Sequence, residues 1–176
     1  MKLTWFGGTT LRVYVGGDIM VVDPGHAPAG VSRSEVLAGA DHVADFGDRV
    51  VPLIDPATWR PKPAPRAIDA SAPPIEVVRI AEETLLIAAA GEPPLVVLGG
   101  GVAPRFGRWA DGAVIVLTSA REALVAEATV LLDVARPRLI ALAVEAETLD
   151  TVVAELGEHL QGTGLVSLEP GLALEV

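Results

Sequence analysis

Few side chains in this sequence could hold a metal or move a proton near neutral pH. There are three histidines, His26, His42 and His159, and no cysteine. His26 follows Asp23-Pro24-Gly25, and His42 stands in the run Asp41-His42-Val43-Ala44-Asp45. Imidazole and carboxylate suffice to ligate a divalent ion, so His26, His42, Asp41 and Asp45 are candidates for a reduced site holding one such ion, zinc by ligand type. Asp23 closes an apolar run before Pro24. It reads either as a leftover acid of such a site or as a turn residue bonded to the backbone amides after it. His159, flanked by Glu155 and Glu158 on an amphipathic segment, is expected to face solvent. Without cysteine there is no thiolate, and no serine stands in recognisable relation to a histidine and an acid. Gly99-Gly100-Gly101-Val102-Ala103-Pro104 resembles a dinucleotide-binding turn, but Pro104 stands where a helix would have to begin. No helix N-terminus is then offered to a pyrophosphate. Trp5, Trp59 and Trp109 read as covers over core edges, with Arg105 to Trp109 as an alternative contact patch.

The elements that must position these residues are legible from periodicity. Lys2 to Phe6, Leu11 to Val15 and Ile19 to Val22 are β-prone runs separated by Gly7-Gly8 and Gly16-Gly17-Asp18, an antiparallel meander. A short helix is expected over Ser32 to Gly39, capped by Ser32 or Ser34. The apolar runs His42 to Phe46 and Val50 to Ile54 follow, and then a proline-crowded surface connection from Pro52 to Pro74. The meander recurs as Glu76 to Ile80, Leu85 to Ala89 and Leu95 to Leu98, an internal duplication. A buried strand at Ala113 to Leu117 leads into a helix opened by a capping box of Ser119 and Glu122. That helix shows Leu124, Ala128, Leu131 and Ala135 on one face and stops at Arg136-Pro137. Leu139 to Val144 is the next strand, and Leu149, Val152, Val153, Leu156 and Leu160 mark a second helix closed by Gly162. Leu165 to Leu168 and Leu172 to Val176 are expected to form a final hairpin around Glu169-Pro170-Gly171.

Composition bounds the setting. At 176 residues, with 51% hydrophobic and 4% aromatic residues, the chain suits one domain, residues 1–176, with an aliphatic core and halves of about 1–75 and 76–176. No apolar stretch approaches the roughly 20 residues of a membrane span, and the first residues do not read as a signal peptide. The net charge of −10 argues against a nucleic-acid surface. A cytoplasmic protein is expected, with self-association left open.

Met1-Lys2-Leu3-Thr4-Trp5-Phe6-Gly7-Gly8-Thr9-Thr10, followed by Ile19 to Val22 and Asp23-Pro24, resembles the opening of metallo-β-lactamase-fold hydrolases. It is most similar to the branch of ascorbate-phosphate lactonases, whose sequences begin with a strand, Trp-Leu-Gly-His, and a hairpin ending in Ile-Asp-Pro. The resemblance continues through Leu95 to Gly101, the helix before Arg136-Pro137-Arg138, and Pro170-Gly171. It implies an αββα sandwich, two facing sheets with helices outside, built from two strand-then-helix halves. It also implies a dinuclear metal site fed by a His-x-His-x-Asp-His loop, a bridging Asp and later histidines. That site works by lowering the pKa of metal-bound water.

Here the ligand pattern lapses. Gly8 stands where that branch has His, Gly100 where the bridging Asp belongs, and Ala143 where the late His would follow its strand. The first metal loop aligns either with Leu37-Ala38-Gly39-Ala40-Asp41-His42, which keeps only Asp-His, or with Gly47 to Val51, which has no His. Gly8, Asp23, Gly100 and Ala143 are therefore expected to border one vestigial cleft with no catalytic residue. The resulting expectation is a non-catalytic protein that binds a small molecule or a protein and carries no cofactor. The alternative is a metal-dependent hydrolase with a rearranged, reduced site.

Overall fold

The computed structural model describes residues 1–63 and 73–176. Two meanders form in the expected places. The first is β1 (Lys2–Gly7), β2 (Thr10–Val15) and β3 (Asp18–Val22), with β4 (His42–Ala44) added parallel to β3. The second is β5 (Glu76–Ala81), β6 (Thr84–Ala88) and β7 (Leu95–Leu98). It is extended by three parallel strands, β8 (Val114–Leu117), β9 (Leu139–Leu142) and β10 (Gly164–Ser167). The sheet orders are β11-β1-β2-β3-β4 and β10-β9-β8-β7-β6-β5, where β11 is Ala173–Glu175.

One core lies between the sheets. Leu3, Trp5, Leu11, Val13, Met20 and Val22 face Leu85, Ile87, Leu95, Val97, Val114 and Val116. The opposite face of the second sheet, with Leu86, Val96, Leu98, Ile115, Leu117 and Leu142, packs against α2 (Arg121–Val134) and α3 (Ala146–Leu156). Every residue of β6, β7 and β8 is buried. That double burial is why these strands are continuous aliphatic runs, whereas β1 and β2 alternate. Among the described residues, the outer face of the first sheet carries only the single turn α1 (Arg33–Val36), with Val36 fully buried and Arg12 donating to the Glu35 carbonyl oxygen at 3.5 Å. The helical layer of the first half, among the described residues, is thus one turn deep. Among the described residues, no helix is long and apolar enough to cross a membrane.

Three local expectations are corrected. Leu165–Leu168 and Leu172–Val176 do not pair with each other: β10 runs parallel to β9, and β11 pairs antiparallel with β1 in the other sheet. Leu168 and Leu174 both pack into the inter-sheet core, so the chain crosses the sandwich between them and closes an edge of each sheet. Val50–Ile54 forms no strand of its own. Its contribution is one bridge, Leu53 beside Arg79, held by Arg79 N to Pro52 O at 2.8 Å and Ile54 N to Arg79 O at 2.9 Å. The Ser119–Glu122 capping box does not close either: the residue before α2 is Ala120, with no side-chain cap.

Residues 64–72 of the proline-rich connection lie outside the described part. Its first portion is fixed by tryptophan. Trp59 meets Trp109 edge-to-face at 5.1 Å, and the Trp109 indole N–H donates to the Pro56 carbonyl at 2.7 Å. Trp5, Trp59 and Trp109 are all buried. Removing a buried indole typically costs about 3 kcal/mol or more. Trp59→Ala is therefore expected to lower unfolding free energy by about 3 kcal/mol and to expose the chain near Pro56 to proteolysis, as read by urea denaturation and limited digestion.

Candidate functional site

Parallel strands deliver their C-terminal ends to one edge of the sandwich. At this edge β3 runs into Asp23, β4 into Asp45, β7 into Gly99, β8 into Thr118 and Ser119, and β9 into Ala143. Two depressions open there. The smaller, about 200 Å³, is lined by Trp5, Gly8, Ser119, Arg121, Ala143 and Thr148, among others. The larger, about 530 Å³, is lined by Thr9, Asp23, His26, Asp45, Phe46, Glu82, Glu83 and Gly99, among others. Gly100 lies between them. A Cβ placed on it would sit 3.1 Å from Glu83 Oε2 on the larger side and 3.7 Å from Ser119 Cβ on the smaller. The four positions expected at one cleft are thus distributed over two adjoining depressions, with Gly8 and Ala143 in one, Asp23 in the other, and Gly100 at the boundary.

Asp23 is buried and adopts a left-handed backbone, φ 52° and ψ 50°. Such a conformation costs a non-glycine residue about 1 kcal/mol or more, and aspartate tolerates it better than most. Its carboxylate does not bond the following amides. It accepts from the Thr9 hydroxyl and, at 2.9 Å, lies against His26 Nδ1. Its carbonyl accepts from the Thr10 hydroxyl at 2.7 Å and its N–H donates to Ala44 O at 2.9 Å. Side chains from the β1–β2 turn and from the 3-10 turn Pro24–His26 therefore replace the expected turn amides. The His26 side chain is 72% exposed, with Nδ1 committed to Asp23 and Nε2 left to solvent.

The reduced metal site is not assembled as the sequence suggested. His26 and Asp45 line the depression that holds Asp23. Asp41 and His42 sit at the opposite end of β3 and β4, roughly 10 to 13 Å away along the strand. There His42 Nε2 lies 3.0 Å from Asp18 Oδ2, and Asp41 Oδ2 accepts the Ile19 N–H at 2.8 Å. Three or four residues along a strand separate these groups by the strand's length, which linear proximity does not register. His159 is exposed beyond the end of α3. Among the described residues, no three of His, Asp or Glu are grouped so as to hold a metal ion. The dinuclear chemistry that the resemblance implies does not fit this donor set.

The backbone also restricts what could stand at Gly8 and Gly100. A Cβ on Gly8, whose φ is 54°, would lie 2.6 Å from the His26 carbonyl oxygen, and the Trp5 indole N–H holds the Gly8 carbonyl at 2.9 Å. At Gly100, φ is 132° and the neighbouring group is a carboxylate, Glu83. An aspartate there would meet both backbone strain and like charge.

One ionisable residue at this edge escaped the sequence reading. Glu127 lies on the inner face of α2, between Leu124 and Leu131, and is 2% exposed. Its Oε2 accepts the Ser119 hydroxyl at 2.7 Å, and its Oε1 has no hydrogen-bond partner among the described residues. Burial pushes its pKa up; the Ser119 hydrogen bond pulls it down, and the charge of Glu83 raises it further. The signal was available: an acid at position 127 interrupts the spacing of Leu124, Ala128 and Leu131. Ser119, which the sequence assigned to a cap, is turned instead to this carboxylate.

Gly8→His is expected to lower stability by about 2 kcal/mol without creating a stoichiometric zinc site; a stable, zinc-loaded variant would contradict this reading of the closed loop. For Glu127 the folded pKa exceeds the unfolded one. Wild-type stability is thus highest below the unfolded value and falls as pH rises through the folded one. Glu127→Gln removes that loss, so its stability advantage over wild type should grow from acidic to neutral pH in paired thermal melts.

No protein-family model matches the chain, and no curated protein matches it. Solved structures do. An isothiocyanate hydrolase from Delia radicum gut bacteria aligns over 100% of this chain and 99% of its own, at 12% identity and a TM-score of 0.54. Igni18, a metallo hydrolase of the archaeon Ignicoccus hospitalis, aligns over 99% and 98% at 13% identity and a TM-score of 0.47. A protein assigned as a Zn-dependent hydrolase of the metallo-β-lactamase superfamily, from Thermotoga maritima, aligns over 96% and 98% at 13% identity and a TM-score of 0.46. At these identities the likeness speaks to architecture alone: the chain has the two-sheet fold of the metallo-β-lactamase type, along its whole length.

Proposed function

We propose that this chain is a metallo-β-lactamase-fold binding protein in which the metal site has been dismantled, so that a small molecule occupies the edge where a metal-activated water would otherwise act. The observation that carries this reading is the state of its histidines. One of the three, His26, stands at the edge, and its Nδ1 is already turned to Asp23. Backbone fills the space at Gly8, and Ala143 offers no ligand atom. The larger depression retains Asp45, Glu82 and Glu83 around the Phe46 ring, a lining suited to a small cationic molecule.

A second reading has one observation in its favour: Asp23, His26 and Asp45 share a depression, and His26 Nε2 is free. One divalent ion held there would make the chain a hydrolase with a reduced site. Elemental analysis of protein purified without chelator separates the two. The binding reading expects sub-stoichiometric zinc, iron and manganese and no chelator-sensitive turnover of phosphodiesters or lactones. One tightly held equivalent of metal, lost in His26→Ala together with hydrolysis, would establish the second reading instead.

A further inference from the structure

We propose that Ser119 is a metal-independent acyl-accepting nucleophile, with Glu127 as its general base, and that the smaller depression takes a small ester. Four observations converge on this. Ser119 stands immediately after β8 and before α2, in a strand–turn–helix corner at the edge already described. Its hydroxyl donates to Glu127 Oε2 at 2.7 Å, and Ser119, 5% exposed, is among the residues lining the depression of about 200 Å³, which has room for a small acyl group. The first turn of α2 carries no side-chain cap, leaving the N–H groups of Arg121, Glu122 and Ala123 without intrahelical partners beside the hydroxyl. Those groups are donors for the oxyanion that forms when the hydroxyl attacks a carbonyl.

The fourth observation is that Glu127 itself is costly to the fold. A buried carboxyl with an unpartnered oxygen destabilises its surroundings, and a glutamine would keep the shape while removing the charge. Arg121 does not neutralise it, being engaged with Glu155, whose hydrogen bond and charge hold the guanidinium pKa above its ordinary value. Glu83, from the turn between β5 and β6, is the charged group facing Glu127, and it also favours the neutral form. A buried carboxylate that already accepts the Ser119 hydroxyl is placed to take its proton.

The step balances within the chain and its substrate. Ser119 Oγ forms a bond to the carbonyl carbon as its proton passes to Glu127 Oε2. The ester C–O bond then breaks, and the leaving oxygen takes that proton. Water reverses the sequence: its proton goes to Glu127, its oxygen to the acyl carbon, and Ser119 Oγ recovers the proton as the acid departs. No metal enters, so this activity stands apart from the lost metal chemistry and from any ligand in the larger depression.

The test uses p-nitrophenyl acetate with the full chain in the presence of EDTA. The expected results are release of nitrophenol, one acetyl group mapped to Ser119 by peptide mass spectrometry, and a rate that rises with pH as Glu127 ionises. Ser119→Ala should abolish that acetylation, and Glu127→Gln should slow it by about 100-fold or more while circular dichroism shows both variants folded. Glu127→Asp, which keeps the carboxylate on a shorter arm, should retain part of the rate. Absence of Ser119 acetylation, acetyl groups spread over lysines, or a Glu127→Gln rate equal to wild type would each overturn the proposal.

Discussion

The β5–β10 sheet is buried on both faces, against the first sheet on one side and against α2 and α3 on the other. Burial of that kind contributes roughly 25 cal/mol for each Å² of apolar surface removed from water, and it fixes much else. It demands strands with no polar face, which is why β6, β7 and β8 are aliphatic throughout. It requires that polar and ionisable residues be displaced to the strand ends. Because β7, β8 and β9 run parallel, their C-terminal ends fall at one edge, and the functional possibilities of the molecule gather there whatever their chemistry.

At that edge the first meander contributes shape more than reactivity. Gly8 is not an empty place awaiting a ligand, since the His26 carbonyl occupies the space a side chain would need. Asp23 is likewise committed. Its carboxylate is used up by Thr9 and His26, and its main chain by Thr10 and Ala44. This network fastens β2, β3 and β4 together at their common end. Asp23 is thus the knot of the first sheet, with a left-handed backbone as the cost of the tie.

The second half retains the less settled chemistry. Ser119 and Glu127 bring a hydroxyl and a buried carboxyl together where two helices begin, and the unpartnered oxygen of Glu127 has no structural account within the hydrophobic packing around it. Gly100 stands where this pair meets the acids of the larger depression, its lack of a side chain admitting Glu83 on one side and Ser119 on the other. The edge therefore holds two chemically distinct environments, one rich in carboxylates and one at helix N-termini.

Residue order by itself determined the two meanders, the two main helices and the aliphatic character of the core, because these depend on periods of two and of 3.6 residues that a linear string displays. It also determined that a full histidine ligand set cannot be assembled, since three histidines are too few wherever they fall. What it could not display is distance across strands and between sheets. Asp41 and His42 are near Asp45 in sequence yet lie at the far end of β4, and β10 and β11 are near each other yet seal different sheets. Ser119 shows the same limit in reverse: its spacing to Glu122 met the rule for a cap, but its hydroxyl found Glu127 two turns into the helix. Local rules score each residue against its neighbours, whereas a hydroxyl at the edge of a packed core turns to whichever acceptor the packing has already buried beside it.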